Sequence, residues 1–421
     1  MTPGQRMSKR KNDSDDQEGK PEPKLASIFA NASQRLRGVW KVVPDQLFIY
    51  TVDGIEHQQK IAAFDLDGTL IKTKSGNTFA RSGDDWQFWS SKVIGALRKC
   101  HSDAFKLCIF TNQKGIRKGL VDAGQFKRKV QNIVNAIGVP LQVFVSVGTA
   151  NYRKPYVGMW NRMENEENGA IWVDREGSFY VGDAAGRLKT QNRPKNDHSC
   201  ADRLFALNLS LNFQTPEQFF AKISAEEPFR LPEFNASQLL REHSHQFNPK
   251  DFKMSGTVHP ELVVLVGSPA SGKSTFARRF KNEYVILSQD ELGTRKKCLD
   301  QARESLRKGK SVIIDNTNRD AATRKDFCDL AASFRLPCRC LLFACSPAHA
   351  LHNNTFRQVI AEGETDRSHD KVNEMVLRTF FSAYQKPTET EGFSEIIQVN
   401  FVPEFEREEH RQIYAMYLSE K

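Results

Sequence analysis

The chain has 421 residues, 39% of them hydrophobic, and 61 Lys and Arg against 51 Asp and Glu, giving a net charge of +10 and a pI near 9.1. That length exceeds one ordinary core and calls for two or three domains; the basic excess points to anionic partners, nucleic acid first, or to a merely solvated basic surface. No apolar stretch suits a secretory leader or a membrane span, and the cysteines form neither C-x-x-C pairs nor zinc-finger spacings, so a soluble protein of a reducing compartment is expected.

In chain order, residues 1–39 read as a polar, proline-punctuated tail, disordered over at least the first 24. Ser8 to Asn12, SKRKN, is a short basic patch of nuclear-import type or an ordinary tail run. Leu25, Ile28, Phe29 and Leu36 share a helical face that suits a docking peptide or a plain tether. From residue 40 strands alternate with helices. KIAAFDLD, FKLCIFTN, QVFVSVG and SFYVGDA are strand-like, and AGQFKRKVQNIVNAIG is helical with Gly138 as its C-cap. Proline, histidine and asparagine mark 226–256 as a linker. ELVVLVG, YVILSQD, KSVIIDNTN and CRCLLFAC then open a second series over 257–421. The expected fold is α/β, with two doubly wound parallel-sheet domains at 40–225 and 257–421.

IAAFDLDGTL ends an apolar strand in two carboxylates two residues apart, so Asp65 and Asp67 project to one side of the strand end. One can attack phosphorus while the other exchanges protons with leaving group and water. Alone, such a pair equally suits a turn or cap. Three further pieces follow at strand ends: Thr111 and Asn112 in IFTNQ, Lys154 in YRKP, and Asp183 in VGDAAGR. Lys154 is a point charge for phosphoryl oxygens, and Asp183 completes a Mg2+ site with Asp65 and Asp67. These four motifs, in this order, resemble the haloacid-dehalogenase phosphatase superfamily. The resemblance implies that Asp65 is the nucleophile that becomes an aspartyl-phosphate, and Asp67 the acid–base residue.

GSPASGKST, after the apolar ELVVLV, matches the phosphate-binding loop G-x-x-x-x-G-K-[ST] in its confirming context. The backbone across Gly267, Ser268, Pro269, Ala270, Ser271, Gly272, Lys273, Ser274 and Thr275 would cradle ATP phosphates with its N–H groups. Lys273 would reach the β- and γ-phosphates and Ser274 would hold Mg2+. Asp290 suits a general base or a helix N-cap, and Asp315 suits Mg2+ or acceptor support or capping. Arg357 suits a lid arginine or a solvated helix face.

Taken together, the two series resemble the eukaryotic polynucleotide kinase 3′-phosphatase family, with SGDDWQFW, YRKPYVGMW, SCADRLFALNL, IDNTNRDAATR and PCRCLLF as supporting stretches. That resemblance implies a haloacid-dehalogenase-like phosphatase followed by a P-loop kinase. It further implies hydrolysis of 3′-phosphates and ATP-dependent phosphorylation of 5′-hydroxyls at DNA ends, with Asp290 as the kinase base and a nuclear address. The tail is too short for the forkhead-associated domain of mammalian-type members, so a form without it is expected. Gln289 stands where an arginine is expected in the vertebrate pattern.

Lys114, Arg117, Lys118 and Arg153 are expected to grip a strand at the first site, and Arg295, Lys296, Lys297 and Arg303 at the second. Trp86, Phe88 and Trp89 suit base stacking or, for the tryptophans, core packing. A monomer is expected, meeting repair proteins through its tail. The rival readings are RNA-end healing, a small-molecule phosphatase fused to a small-molecule kinase, and a DNA-end scaffold with relic sites.

Overall fold

Alternate residues of the central strands face opposite sides, and each side has its own hydrophobic cluster. This is seen in a computed structural model, which describes residues 35–77, 80, 82–148, 151–191, 193–242, 245–254, 260–361 and 372–420. The SKRKN patch and Leu25, Ile28 and Phe29 lie outside the described residues.

In the first half the elements are β1 (Gly38–Val43), β2 (Leu47–Val52), β3 (Ile61–Phe64), β4 (Ile71–Lys72), β5 (Gln87–Phe88), α1 (Val93–Ser102), β6 (Lys106–Asn112), α2 (Lys114–Arg117), α3 (Ala123–Ile137), β7 (Gln142–Ser146), α4 (Gly158–Glu166), β8 (Phe179–Val181), α5 (Ala201–Leu209), β9 (Asn212–Gln214), α6 (Pro216–Ala221) and α7 (Ala236–Arg241). Among the described residues the main sheet runs β1-β2-β7-β6-β3-β8-β9. The five strands from β7 to β9 are parallel; β2 pairs antiparallel with both β1 and β7, so the sheet is mixed at one edge rather than wholly parallel. Ala62 and Phe64 face one cluster with helices α1 and α3, while Ile61 and Ala63 face the other with α4 and α5. A sheet buried on both faces reads as continuous apolar runs, which is why β3, β6 and β7 stand out in the sequence. Helix α3 is capped as its ends foretell: Asp122 accepts from the Gln125 N–H, and Gly138 takes φ 75°.

The second half has β10 (Phe247–Asn248), β11 (Leu262–Val266), α8 (Lys273–Arg278), β12 (Tyr284–Leu287), α9 (Gln289–Leu292), α10 (Arg295–Arg307), β13 (Ser311–Ile314), α11 (Ala321–Ser333), β14 (Cys338–Ala344), α12 (Pro347–Ala361), α13 (Glu374–Ala383), β15 (Glu395–Asn400) and α14 (Glu408–Ala415). The sheet order is β10-β15-β14-β11-β13-β12, parallel except where β10 meets β15. The stretch expected to be a linker therefore contributes helix α7 and an edge strand. Polar composition hid β10 because it has only two residues and pairs on one side.

β3 lies between β6 and β8, and β11 between β14 and β13. Chain crossovers leave on either side of such a strand, opening a crevice beyond its carboxyl end. Both motif loops begin there.

Candidate active sites

At the first crevice the main chain bends away after β3 through Gly68, at φ +87°. A Cβ on Gly68 would lie 2.4 Å from Asp183 Oδ2, and one on Gly182 2.4 Å from Asp202 Cβ, so both glycines make room for carboxylates. Asp65 is anchored by its N–H on Val181 O at 2.9 Å. Its Oδ1 accepts from Lys154 Nζ at 2.6 Å. Lys154 is 2% exposed. Its ammonium also contacts Asp202 Oδ1 at 2.7 Å, Tyr180 Oη at 2.8 Å and the Phe110 carbonyl at 2.8 Å. Asn112 holds the lysine's own backbone by a reciprocal amide pair, accepting its N–H at 2.9 Å and donating to its carbonyl at 3.1 Å. Thr69 donates to Asp183 Oδ1 at 3.2 Å.

Asp65, Asp183 and Asp202 bring carboxylate oxygens within 4.8 Å of one another. Burial pushes the Asp65 carboxyl well above its usual range; Lys154 opposes that shift, and Asp202 and Asp183 add to it. Burial, then the Asp202 charge, raises Asp183 to about 7. For Lys154 burial disfavours the charge, but Asp202 and Asp65 outweigh it and hold the pKa above normal. Three carboxylates against one ammonium leave two negative charges in excess when all are ionised, and the raised Asp65 and Asp183 carboxyls register that excess. An all-oxygen cluster with that excess fits a hard divalent cation such as Mg2+.

Asp202 was missed, although its stretch, SCADRLFALNL, stood out. It lies in the first turn of α5, where an aspartate reads as an ordinary helix-start residue. Asp67 takes a different place from the one expected of a metal ligand: its carboxylate lies outside the cluster, 50% exposed, held by Lys129 Nζ at 3.1 Å and Gln113 Nε2 at 2.6 Å. Lys129, buried on α3, was also missed, because its spacing there suits an amphipathic helix. Thr111 is buried and accepts from Gln113 Nε2 at 3.0 Å. Arg187 of the VGDAAGR motif serves structure: it pairs with Asp197 and Glu217 and donates to the Asp183 carbonyl at 3.0 Å.

Lys114, Arg117 and Lys118 are exposed on and after α2, beside Gln113. Arg153 instead faces Glu420 at 3.5 Å and leaves the strand-gripping set, its charge being engaged within the chain. Trp86 packs edge-on against Phe88, and Trp89 lies tilted against Phe220, so these rings line the core, the alternative to base stacking.

At the second crevice the loop from Gly267 to Gly272 leads into α8. Gly272 adopts φ +90° at the helix start. Lys273 Nζ folds onto the loop's own carbonyls, at 2.9 Å from Gly267 O and 2.7 Å from Ser268 O. Burial lowers its pKa to about 8, against the pull of Asp315, Cys345 and Asp290. A desolvated ammonium held by two loop carbonyls and, at 3.5 Å, the Ser271 hydroxyl, with no carboxylate in contact among the described residues, fits a polyphosphate ligand such as ATP. Ser274 and Thr275 are exposed at the helix N-terminus.

Ser288, not Asp290, caps α9, accepting from the Glu291 N–H, and Asp320 caps α11. The capping alternatives for Asp290 and Asp315 are thereby removed; Asp290 is exposed and Asp315 half-buried, and both act on Lys273. Asn316 Oδ1 accepts from the Gln289 N–H at 2.7 Å, tying the IDNTN loop to the Asp290 turn. Arg357, on α12, is half-buried and pairs with no carboxylate among the described residues. Burial and the neighbouring Arg278 lower its pKa, unlike that of a solvated helix arginine. Lys296, Lys297 and Arg303 are exposed on α10, while Arg295 is partly engaged by Asp326 at 3.5 Å.

The family model described as polynucleotide kinase 3 phosphatase matches residues 60–220, and one described as an AAA domain matches 262–387. The chain is 37% identical over 370 residues to a bifunctional polynucleotide phosphatase/kinase of Schizosaccharomyces pombe, covering 87% of this chain and 86% of that one. It is 36% identical over 197 residues to a polynucleotide 3′-phosphatase of Arabidopsis thaliana, covering 43% and 27%. To the polynucleotide 3′-phosphatase of Saccharomyces cerevisiae it is 29% identical over 226 residues, covering 41% and 92%.

Proposed function

The chain belongs to the bifunctional polynucleotide phosphatase/kinase family, and from that premise we propose that it prepares broken DNA strands for ligation. It hydrolyses 3′-phosphates at the Asp65 centre and phosphorylates 5′-hydroxyls with ATP at the Lys273 loop. One observation carries this reading: a buried carboxylate–lysine centre and a lysine-bearing phosphate loop each occupy the crevice of their own sheet in a single chain.

In the phosphatase reaction an Asp65 oxygen attacks phosphorus, the bond from phosphorus to the 3′-oxygen breaks, and Asp67 gives the leaving oxygen its proton. Asp67 then takes a proton from water as that water attacks the aspartyl-phosphate, releasing phosphate and restoring Asp65. Lys129 and Gln113 keep the Asp67 carboxylate aimed, and Lys154 balances charge on the nucleophile. Asp65, Asp183 and Asp202 would hold Mg2+, which when bound screens the repulsion between nucleophile and phosphate. In the kinase reaction Asp290 accepts the proton of the 5′-hydroxyl. Lys273 and Arg357 bind the transferring phosphoryl oxygens, and Ser274 and Asp315 support the ATP-bound Mg2+.

Lys114, Arg117 and Lys118 at the first site and Lys296, Lys297 and Arg303 at the second contact phosphates, so binding is independent of sequence. The protein acts as a monomer in the nucleus. The test is an oligonucleotide with a 3′-phosphate and a 5′-hydroxyl. Asp65→Asn abolishes phosphate release and spares 5′ phosphorylation; Lys273→Ala does the reverse. Loss of both activities in either folded variant would refute two separate sites, and faster turnover of the same ends in RNA would move the substrate class to RNA.

A further inference from the structure

We propose that the C-terminal segment from Met416 to Glu420, which follows the last helix of the kinase half, is a positioning element of the phosphatase centre. The segment lies on the other half of the molecule: Met416 packs against the phosphatase cluster built around Phe110, Trp160 and Phe205. Asn208 of α5 grips it at both polar groups of one residue, accepting the Tyr417 N–H at 2.8 Å and donating to the Tyr417 carbonyl at 3.1 Å. The same Asn208 amide donates to Pro155 O at 2.9 Å. Tyr156 Oη donates to Leu418 O at 3.2 Å. Glu420 faces Arg153 at 3.5 Å, accepts from Ser199 Oγ at 2.8 Å, and accepts from Cys200 Sγ through its carbonyl at 3.2 Å.

The hydrogen bonds and the ion pair just named fall on two stretches, 153–156 and 199–208. They are the stretches that carry Lys154 and Asp202, whose 2.7 Å ion pair closes the carboxylate cluster. The segment thus staples together two stretches, the 153–156 turn and the start of α5, whose Lys154–Asp202 pair must stay in register with the Asp65 carboxylate. Without the staple, Lys154 and Asp202 drift relative to Asp65, and a misplacement of about 1 Å costs about 100-fold in such reactions. The kinase does not share this dependence. Its loop is braced by Asn353, which donates to Ala270 O at 3.0 Å and accepts from Tyr414 Oη at 2.8 Å, and Tyr414 precedes the segment.

The proposal rests on the 3′-phosphatase reading, and the experiment separates the two. A variant ending at Ala415 and an Asn208→Ala variant are compared with the full chain on the oligonucleotide bearing a 3′-phosphate and a 5′-hydroxyl. For the shortened chain, kcat for phosphate release should fall about tenfold or more with KM nearly unchanged, and half-maximal hydrolysis should need more Mg2+. Its 5′ phosphorylation should stay within about twofold of wild type, and a peptide of residues 416–421 added in trans should restore part of the hydrolysis. Asn208→Ala should show the same split, about threefold or more, which decides the matter should the shortened chain not fold. Wild-type hydrolysis by both kinase-competent variants, or equal loss of both activities in folded Asn208→Ala, would overturn the staple. Absence of phosphate release by the full chain would overturn the phosphatase reading instead.

Discussion

Replacing Asp202 by asparagine separates the electrostatic account of the phosphatase centre from a purely structural one. At an effective dielectric of about 20, its 2.7 Å contact with Lys154 attracts with about 6 kcal/mol. Its repulsion from Asp65 and Asp183, with oxygens within 4.8 Å, is at least about 3.5 kcal/mol each when both are ionised. The two nearly cancel, and asparagine keeps one oxygen, able to accept either the Ala184 N–H, now bonded at 3.0 Å, or the Lys154 ammonium, which still holds Asp65, Tyr180 Oη and the Phe110 carbonyl. Without Mg2+ the variant should therefore unfold within about 1–2 kcal/mol of wild type, although a charge 1% exposed has been removed. With Mg2+ it has lost one of three carboxylate ligands. Its affinity for the ion should drop at least about tenfold, and 3′-phosphatase activity should collapse while the kinase continues. Denaturation with and without saturating Mg2+, read beside both activities, checks this. A variant strongly destabilised without Mg2+, yet stabilised by the ion as much as wild type and active, would refute both the charge balance and the metal assignment.

Gly68→Ala should abolish 3′-phosphate release and leave 5′ phosphorylation intact, since its Cβ would drive Asp183 aside and φ +87° disfavours alanine; kinase and phosphatase assays on one preparation check it. Burial holds His349 and His352 near pKa 4, below their ordinary value of 6.5. The unfolded chain thus binds their protons first: their contribution is complete above about pH 6.5 and is lost as pH falls toward 4, about 2 kcal/mol per histidine by pH 5. Denaturant melts at pH 7 and pH 5 should show that loss, and His349→Gln combined with His352→Gln should flatten it. Replacing Lys296, Lys297 and Arg303 by alanine should weaken binding of 5′-hydroxyl ends regardless of sequence. The log–log salt slope should fall by about 0.7–0.9 for each phosphate left without its cation, measured by fluorescence anisotropy.

Strands β3, β6, β7 and β8 of the first sheet and β11 to β14 of the second could be read because strands buried on two faces need continuous apolar runs. Strands β1, β9, β10 and β15, at or next to a sheet edge, could not, since such strands carry mixed, half-exposed residues, and β2 too went unread. The motif residues Asp65, Lys154 and Lys273 were legible because a crevice at a strand end needs its charges at the junction of an apolar run and a loop. Asp290 and Asp315 were ambiguous until Ser288 and Asp320 proved to be the caps, a question only backbone geometry answers. Arg153 looked like a phosphate contact because nothing local reveals a partner 267 residues away.

By itself the sequence determined the parallel core strands of the two sheets, the order of the motifs and the chemistry each loop can support, because local patterning and turn geometry set these. The tertiary structure alone decided that Asp202 joins Asp65 and Asp183, that Lys129 and Gln113 hold Asp67 away from them, and that the end of one half braces the active site of the other. Each of those facts is a distance between residues far apart in the chain, and the balance of charge in a buried site depends on distance, not on order.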